Sequence, residues 1–301
     1  MPRRGDRPRA AGRAGRVAPA GGRAGVRIVL HGVRGSTPAP GAAFVRTGGH
    51  TSCVSVTVRG EPAPRLVLDA GTGLAGVTEL LRGAPYRGDL VLSHLHWDHV
   101  QGLPFFRSGD VDGADVRLWL PAQDGAAPDV PGSAATLLRR AMSPPHFPIG
   151  PDGLAGRWRF SAHDAGWASA GGASVRLADI PHKGGRTFGI RVEADGASFA
   201  YLPDHAAAAG DGPAADLVRG VDLLLHDAQF SDAERYWACA YGHSTIGDAI
   251  ALAVRARVGR LVLIHHAPAR PDDDVDELAA KHAAAAPLPV TVGREGDVLE
   301  L

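Results

Sequence analysis

The chain has 301 residues, 45% of them hydrophobic, so it can bury a sizeable core as one large domain or two small ones. Its 32 basic and 32 acidic residues balance, and no apolar run approaches the roughly 18 residues that cross a bilayer, so we expect no membrane span. Only two cysteines are present, Cys53 and Cys239, which excludes a disulfide framework. Because so few cysteines suit a reducing compartment, we predict a cytoplasmic protein.

The first 25 residues differ in composition from the rest of the chain. Residues 1–27 contain eight arginines and one aspartate, with almost no large apolar side chain before residue 26. Such a segment cannot form a core, so we predict a disordered Arg/Gly/Ala-rich tail at 1–25 and a folded domain at 26–301. A basic arm could contact nucleic acid, but all except two of the 32 basic residues are arginine. Arginine richness is therefore partly global, and we favour a solvated leader.

Hydrophobic patterning predicts a mixture of strands and helices in the first half of the chain. The predicted strands are 26–31, 52–59, 66–69, 90–92 and 116–120, and the predicted helices are 74–82 and 133–141. Residues 109–156 look like an insertion beside the fold. The turn from Asp69 to Gly73 is rich in glycine but lacks the spacing of a phosphate-binding loop. We interpret Asp69 instead as a carboxylate that orients the histidine-rich segment at 93–99.

The second half repeats this plan. The predicted strands are 175–180, 186–193, 198–202, 221–225 and 261–264, followed by a short strand near the end of the chain. One helix follows Thr245 and runs to about residue 258, and another covers about 272–285. Thr245 and Asp248 have the spacing of a capping box, which predicts the start of the first of these helices.

The segment Ser93 to His99, with the sequence Ser-His-Leu-His-Trp-Asp-His, follows a buried strand. Side chains two apart in an extended chain point the same way, so His94 and His96 can share one metal ion. Asp98 and His99, past a change of direction, can reach a second ion. Imidazole and carboxylate ligands suit zinc, with iron or manganese as alternatives. A single loop histidine is more often a solvated residue, but three histidines and an aspartate within six residues form a far more specific pattern.

Further candidate ligands follow other predicted strands, where the ends of neighbouring strands converge at one edge of a sheet. The complete candidate set is His94, His96, Asp98, His99, His182, Asp204 and His265.

This set resembles the metallo-β-lactamase fold superfamily, whose signature is His-x-His-x-Asp-His followed by a later His, an Asp and a final His. The resemblance covers residues 26–301 and implies one α/β domain, a four-layer αββα sandwich. It implies that one metal ion is held by His94, His96 and His182, that the other is held by Asp98, His99 and His265, and that Asp204 bridges them. His266 is an alternative final ligand, and we choose His265 because it comes directly after the strand.

Four glycine-rich motifs and the context of His182 resemble the phosphodiesterase branch of that superfamily, which includes tRNase Z and cyclic-nucleotide phosphodiesterases. The motifs span residues 32–36, 48–53, 69–73 and 102–106. His50 departs from the Asn that relatives commonly carry. The resemblance implies a homodimer and attack on phosphorus by a hydroxide that bridges two divalent ions. In that reaction Asp98 and Asp204 would fix the nucleophile, and His243, oriented by Asp227, would donate a proton.

Three functions remain open. The first is a two-metal phosphodiesterase acting on a small phosphodiester, in particular a cyclic nucleotide. The second is acyl hydrolysis of the β-lactamase or glyoxalase II kind, and the third is a non-catalytic module that binds RNA through the basic arm.

Within the phosphodiesterase branch, tRNase Z carries its tRNA-gripping arm between the third metal histidine and the bridging aspartate. Only 21 residues separate His182 from Asp204, which disfavours precursor tRNA and makes a tRNase Z-like endoribonuclease the alternative. We predict instead that residues 142–150 form a lid over the site, with His146 and Phe147 contacting the substrate.

Overall fold

The computed structural model describes residues 25–123, 125–210 and 212–301. Most of the predicted tail, residues 1–24, lies outside these ranges. Its last residue, Gly25, donates its backbone N–H to Leu301 O at 3.1 Å, so ordered pairing begins one residue before the predicted boundary.

The described strands form two seven-stranded sheets. The first sheet contains β1 (Val26–Gly32), β2 (Cys53–Val58), β3 (Leu66–Leu68), β4 (Arg87–Val91), β5 (Asp115–Pro121), β6 (Arg157–His163) and β14 (Val298–Glu300). The second contains β7 (Gly166–Ala170), β8 (Ala173–Ile180), β9 (Thr187–Ala194), β10 (Ala197–Leu202), β11 (Leu223–Asp227), β12 (Arg260–Ile264) and β13 (Val290–Val292).

Each sheet has an antiparallel half and a parallel half. The order β14-β1-β2-β3 is antiparallel and continues into parallel β3-β4-β5-β6. The order β7-β8-β9-β10 is likewise antiparallel and continues into parallel β10-β11-β12-β13. Parallel strands need covered crossover connections, which places helices on the outer faces of both sheets.

The described part of the chain contains seven helices. They are α1 (Leu74–Leu80), α2 (Trp97–Val100), α3 (Ser133–Leu138), α4 (Gly212–Val218), α5 (Arg235–Tyr241), α6 (Ile246–Arg255) and α7 (Asp272–Ala285). Short 3₁₀ turns lie at Ala42–Phe44, Leu103–Phe105, Pro151–Gly153, Ala207–Ala209 and Asp232–Glu234.

Three apolar clusters define the layers. One lies between the sheets and joins residues such as Ile28 of β1 to Phe199 of β10. A second packs the outer face of the second sheet against α4, α6 and α7, and a third packs the first sheet against α1, α2 and α3. The predicted αββα sandwich is therefore confirmed.

The segment 109–156 differs from the predicted insertion. Its first part forms β5, which pairs with both β4 and β6 and belongs to the first sheet. Only the part after Pro121, which carries α3 and the Pro-rich loop, lies outside the sheet. The periodicity also missed β6, β7, α4 and α5, and it predicted one terminal strand where β13 and β14 are present.

Among the described residues, no helix has the length and apolar character needed to cross a membrane.

Candidate metal centre

The candidate ligands follow strand ends, as the sequence predicts. His94 comes three residues after β4, and the extended backbone at His96 leads into α2, which carries Asp98 and His99. In the second sheet, β8, β10 and β12 end just before His182, Asp204 and His265. The two sheets therefore bring ligands from distant parts of the chain to one rim of the sandwich.

These side chains form two groups. The ligand atoms of His94, His96, His182 and Asp204 all lie within 4.8 Å of one another, and so do those of Asp98, His99, Asp204 and His265. Asp204 is the shared member. This grouping is the division of ligands that the superfamily resemblance implies.

The two carboxylate oxygens of Asp204 face different groups. Its Oδ2 lies 3.2 Å from His182 Nε2 and 3.3 Å from His94 Nε2. Its Oδ1 lies 2.9 Å from His265 Nε2 and 3.4 Å from His99 Nε2. A carboxylate in this position can give one oxygen to each of two ions.

Unsatisfied polar atoms in the cluster fit such ions. His94 Nε2 and His99 Nε2 are buried and have no hydrogen-bond partner among the described residues. A buried nitrogen without a partner is costly, so its presence in a native site calls for an explanation. Divalent cations held by imidazole and carboxylate ligands would satisfy both atoms.

The electrostatics of the first group favour metal binding near neutral pH. Burial lowers the pKa of both His94 and His182 to about 4, so these imidazoles are neutral and free to coordinate. Burial raises the pKa of Asp204, but the neighbouring histidines, His265 first, outweigh this and hold it well below its usual range. The carboxylate is therefore ionised.

In the second group the negative charge of the carboxylates raises the pKa of the histidines. Burial lowers the pKa of His265, but Asp204 and then Asp98 more than offset this and raise it to about 10. The pKa of His99 is raised in the same way, with Asp98 as the largest opposing influence. Without a cation these imidazoles hold protons, so binding of a metal ion would have to displace them.

Asp69, which the sequence analysis interprets as an orienting carboxylate, lies behind His99. Its Oδ2 is 2.7 Å from His99 Nδ1, which turns His99 Nε2 toward the ligand cluster. Asp69 Oδ1 accepts a hydrogen bond from Ser93 N at 2.6 Å, and Oδ2 accepts from Ser93 Oγ and from Tyr201 OH, each at 2.9 Å. Sequence reasoning missed Ser93 and Tyr201, because nothing in the sequence around either residue marks it as a partner of Asp69.

Two further contacts orient ligands. The backbone N–H of Ser36 donates to Asp98 Oδ2 at 2.8 Å, and His182 Nδ1 lies 2.6 Å from Gly242 O. Ser36 was also missed as a site residue, although the glycine-rich motif that contains it pointed to this loop.

The structure places the His265 ring in the ligand cluster and the His266 ring outside it. His265 has a left-handed backbone with φ of 58° and turns its ring into the cluster. His266 instead lies 3.2 Å from Gly293 O through its Nε2. Gly35 packs against the His265 ring, where an added Cβ would come within 2.6 Å of Nδ1, so this approach requires glycine.

His243 and Asp227 are paired beside the cluster. His243 Nδ1 lies 2.9 Å from Asp227 Oδ2, and the aspartate is held by the backbone N–H groups of His205, Ser244 and Gln229 at 3.0–3.2 Å. The His243 ring lies 5.0 Å from that of His182 and 5.1 Å from that of His265. These contacts fit a proton donor oriented by a fixed carboxylate.

Two concave regions meet at the ligands. The metal cleft is open to solvent and is lined by Ser36, Leu95, His96, Trp97, Asp98, Asp204, His243 and His265. Beside it lies the ring cavity, of about 650 Å³, whose lining includes Trp97, Phe105, Leu138, Met142, His146 and Phe147. The predicted substrate contacts His146 and Phe147 thus line a mostly apolar cavity that adjoins the cleft through Trp97.

Comparison with known proteins identifies the class. A profile of the Beta-lactamase superfamily domain matches residues 64–266, which is most of the chain. The chain therefore belongs to this family and is a hydrolase with the metallo-β-lactamase fold.

Its relatives include ribonuclease Z of Mycolicibacterium paratuberculosis (strain ATCC BAA-968 / K-10), with 27% identity over 278 residues, covering 81% of this chain and 87% of that protein. The match to ribonuclease Z of Shouchella clausii (strain KSM-K16) is local, with 54% identity over 46 residues, or 15% of either chain.

Solved structures agree on the fold. The metallo-β-lactamase fold protein YhfI from Bacillus subtilis superposes with a TM-score of 0.69 at 16% identity, covering 91% of this chain and 99% of that one. A diphosphatase of the PhnP family gives a TM-score of 0.66 at 17% identity, with 92% and 98% covered.

Proposed function

We propose that the protein is a two-metal phosphodiesterase that hydrolyses a small phosphodiester, in particular a 3′,5′-cyclic nucleotide. The observation that carries this proposal is the pair of ligand groups that share Asp204, with His243 on the wall of the same open cleft. We further propose that it works in the cytoplasm, for which its two free cysteines are suited.

In this proposal His94, His96 and His182 would hold one divalent ion, Asp98, His99 and His265 would hold the other, and Asp204 would contribute to both. Zinc is the first choice for these ligands, with manganese or iron as alternatives. When bound, such a pair neutralises phosphoryl oxygens and makes water a stronger nucleophile near neutral pH.

The protein's own groups supply the remaining chemistry. Asp98 is fixed by the Ser36 N–H through Oδ2, and together with Asp204 it can accept the proton of the attacking water. His243, held by Asp227 at 2.9 Å, is positioned to donate a proton to the departing oxygen or to a phosphoryl oxygen.

The ring cavity supports a substrate of nucleotide size. Phe147 packs edge-on against Phe105 with ring centroids 5.7 Å apart, and Trp97 lines both this cavity and the metal cleft. A base could enter among these rings while its phosphate stays in the cleft. We assign His146 and Phe147 to substrate binding on this basis.

A ribonuclease Z-like activity is the second candidate, and the 27% identity to a ribonuclease Z over 278 residues favours it. Against it stands the chain between His182 and Asp204, where β9 and β10 form a hairpin that uses nearly all of the span. No room is left there for a tRNA-gripping arm.

A panel of phosphodiesters on zinc- or manganese-loaded protein tests the proposal. We expect hydrolysis of bis-p-nitrophenyl phosphate and of 3′,5′-cyclic nucleotides. Efficient cleavage of a precursor tRNA with cyclic nucleotides untouched would favour the second candidate. Hydrolysis of thioesters or β-lactams alone would replace both with an acyl hydrolase. The homodimer that the resemblance implies is tested separately by sedimentation.

A further inference from the structure

Four aromatic side chains form a row that leads away from the metal cleft. Phe230 and Tyr241 are stacked with centroids 6.4 Å apart and planes 15° apart, and Tyr241 and Trp237 are stacked at 5.7 Å and 14°. Tyr236 continues the row edge-on, 5.0 Å from Trp237. We call these residues the aromatic row.

The outer part of the row is open to solvent. Tyr236 is 73% exposed, Trp237 49% and Tyr241 53%. The three belong to α5, whose only fully buried residue is Ala238, so packing onto the sandwich does not account for them. A contiguous exposed group of large aromatic side chains commonly marks a binding surface.

The inner end of the row reaches the proposed proton donor. The Phe230 ring lies 6.0 Å from that of His243, and Phe230, Tyr241 and His243 line one open pocket of about 410 Å³. That pocket also contains Lys183, whose Nζ lies 2.9 Å from Ala240 O, and it shares Ser36, His96 and His243 with the metal cleft. An ammonium group is therefore present where a phosphodiester would leave the cleft.

The row and the ring cavity have no lining residue in common. The cavity joins the metal cleft through Trp97, whereas the row joins it through His243. A scissile phosphate in the cleft thus has one ring-binding region at the cavity and a second at the row. A 3′,5′-cyclic mononucleotide carries a single base and can use only one of them.

We propose that the aromatic row binds a second nucleobase, so that a linear dinucleotide is a substrate as well as a cyclic mononucleotide. This inference rests on the phosphodiesterase function proposed above. Bases stack on exposed aromatic side chains with little sequence preference, so the row can accept any nucleobase that the second nucleoside carries.

The position of the row next to His243 assigns it to the leaving nucleoside. Water adds to phosphorus and gives one proton to a carboxylate, while the bond from phosphorus to the leaving oxygen breaks. That oxygen takes the proton of His243. The products are a nucleoside monophosphate and a nucleoside.

The test compares two substrates on three variants of the row and one control variant. The kcat/KM of metal-loaded protein is measured for a dinucleoside monophosphate and for a 3′,5′-cyclic mononucleotide, and the ratio of the two values is followed. Trp237→Ala and Tyr241→Ala are each expected to lower this ratio about tenfold, the loss expected for one base stack. Trp237→Phe keeps an aromatic ring, so its ratio of kcat/KM values should stay close to that of the native protein. Trp167, which is 55% exposed on β7, is the matched control, and Trp167→Ala should leave the ratio unchanged.

Tryptophan fluorescence gives a readout that does not depend on turnover. A base stacked on the row should quench Trp237, so titration of metal-free protein with the dinucleoside monophosphate should quench emission in the native chain and less so in Trp237→Ala.

Failure of this inference is distinguishable from failure of the proposed function. If both diesters are hydrolysed and the ratio does not respond to either row variant, the second subsite is refuted while the phosphodiesterase stands. If Trp237→Ala leaves the ratio intact but dissociates a dimer in sedimentation, the row is a contact between two copies. If loaded protein hydrolyses neither diester, the proposed function falls and the inference falls with it.

Discussion

At the scale of single residues, the candidate metal centre depends on backbone conformations that most residue types avoid. Ser36, Asp69 and His265 have φ values of 61°, 60° and 58°. Non-glycine residues adopt this region rarely, and such residues concentrate at functional sites because the surrounding structure holds them in place. Here the left-handed turn after each strand is what aims Asp69 and His265 at their partners.

The sequence identified the ligands better than the residues that hold them. His94, His96, Asp98 and His99 are adjacent in the chain and form a recognisable pattern, and the structure brings the remaining three candidates to them. The hydrogen bond from Tyr201 to Asp69 joins residues 132 positions apart. No local period encodes such a contact, so it becomes visible only when β3 and β10 are packed.

Removal of a single ligand should separate metal binding from folding. We expect His96→Ala to lose most of the bound metal and the activity, because the residue belongs to the first ligand group. The fold should survive, since His96 is only partly buried at the rim. Elemental analysis should give about two divalent ions per native chain and clearly fewer for the variant.

The matched control is His50→Ala, which removes an exposed histidine outside the cluster. Its metal content should equal that of the native chain. A metal content near zero in native protein after zinc or manganese loading would contradict the two-metal assignment, and an unfolded His96→Ala would contradict the placement of this residue at the rim.

His243 and Asp227 should act as one unit. We expect His243→Ala to retain metal but to lower kcat by on the order of 10² or more, the usual contribution of a positioned proton donor. Asp227→Ala should act through the same imidazole, which it contacts at 2.9 Å. The double variant should therefore be little slower than either single variant in steady-state kinetics.

Losses that multiply in the double variant would show that the two residues act separately. Because Asp227 also accepts three backbone hydrogen bonds, the kinetics need a parallel measurement of the melting temperature.

At the scale of elements, hydrophobic periodicity in the sequence predicted most of the helices and strands that bury a regular apolar face. The helix predicted at 272–285 matches α7, and the strands that precede the ligand-bearing loops were predicted to within a few residues. The elements β6 and α5 were missed for different reasons. Helix α5 buries one alanine while exposing its aromatic rings, so it presents no apolar stripe to the core. Strand β6, at the edge of its sheet, does alternate, with Trp158, Phe160 and Ala162 packed against the third apolar cluster, and the sequence analysis overlooked this pattern.

The capping box at the start of α6 was predicted from sequence and is confirmed. Thr245 Oγ1 accepts from Asp248 N at 3.2 Å, and Asp248 Oδ2 accepts from Thr245 N at 3.0 Å. We expect Thr245→Ala to lower the free energy of unfolding by about 1 kcal/mol, because two backbone N–H groups of the first turn depend on this pair.

Denaturant unfolding measures this loss. Thr136→Ala, which removes an exposed threonine within α3, should change stability by less than about 0.5 kcal/mol. Equal losses for the two variants would mean that the cap contributes nothing specific.

At the scale of the whole molecule, the two sheets meet at the centre from opposite sides. The first sheet supplies His94, His96, Asp98 and His99, and the second supplies His182, Asp204 and His265. Their packing against one shared apolar core fixes the distance between the two ligand sets. The four-layer architecture could be predicted from the resemblance and the strand pattern. The pairing order could not, because β14 returns from the end of the chain to close the first sheet beside β1.

Because β14 pairs with β1, the first sheet needs the chain from residue 26 onward. The last prediction concerns the basic segment that precedes this strand. Residues 1–24 contain seven arginines and no large apolar residue beyond Met1 and Val17, so they have little to bury against the sandwich. We expect a chain that starts at Gly25 to keep its melting temperature and its turnover of small diesters.

The matched variant extends the deletion through residue 31. It removes most of β1, which pairs with β14 on one side and β2 on the other and places Ile28 and Leu30 in the core between the sheets. This variant should fail to fold, as judged by circular dichroism. Loss of the folded state on removal of residues 1–24 alone would show that the segment contributes to the domain, because a solvated leader cannot change the free energy of unfolding by packing.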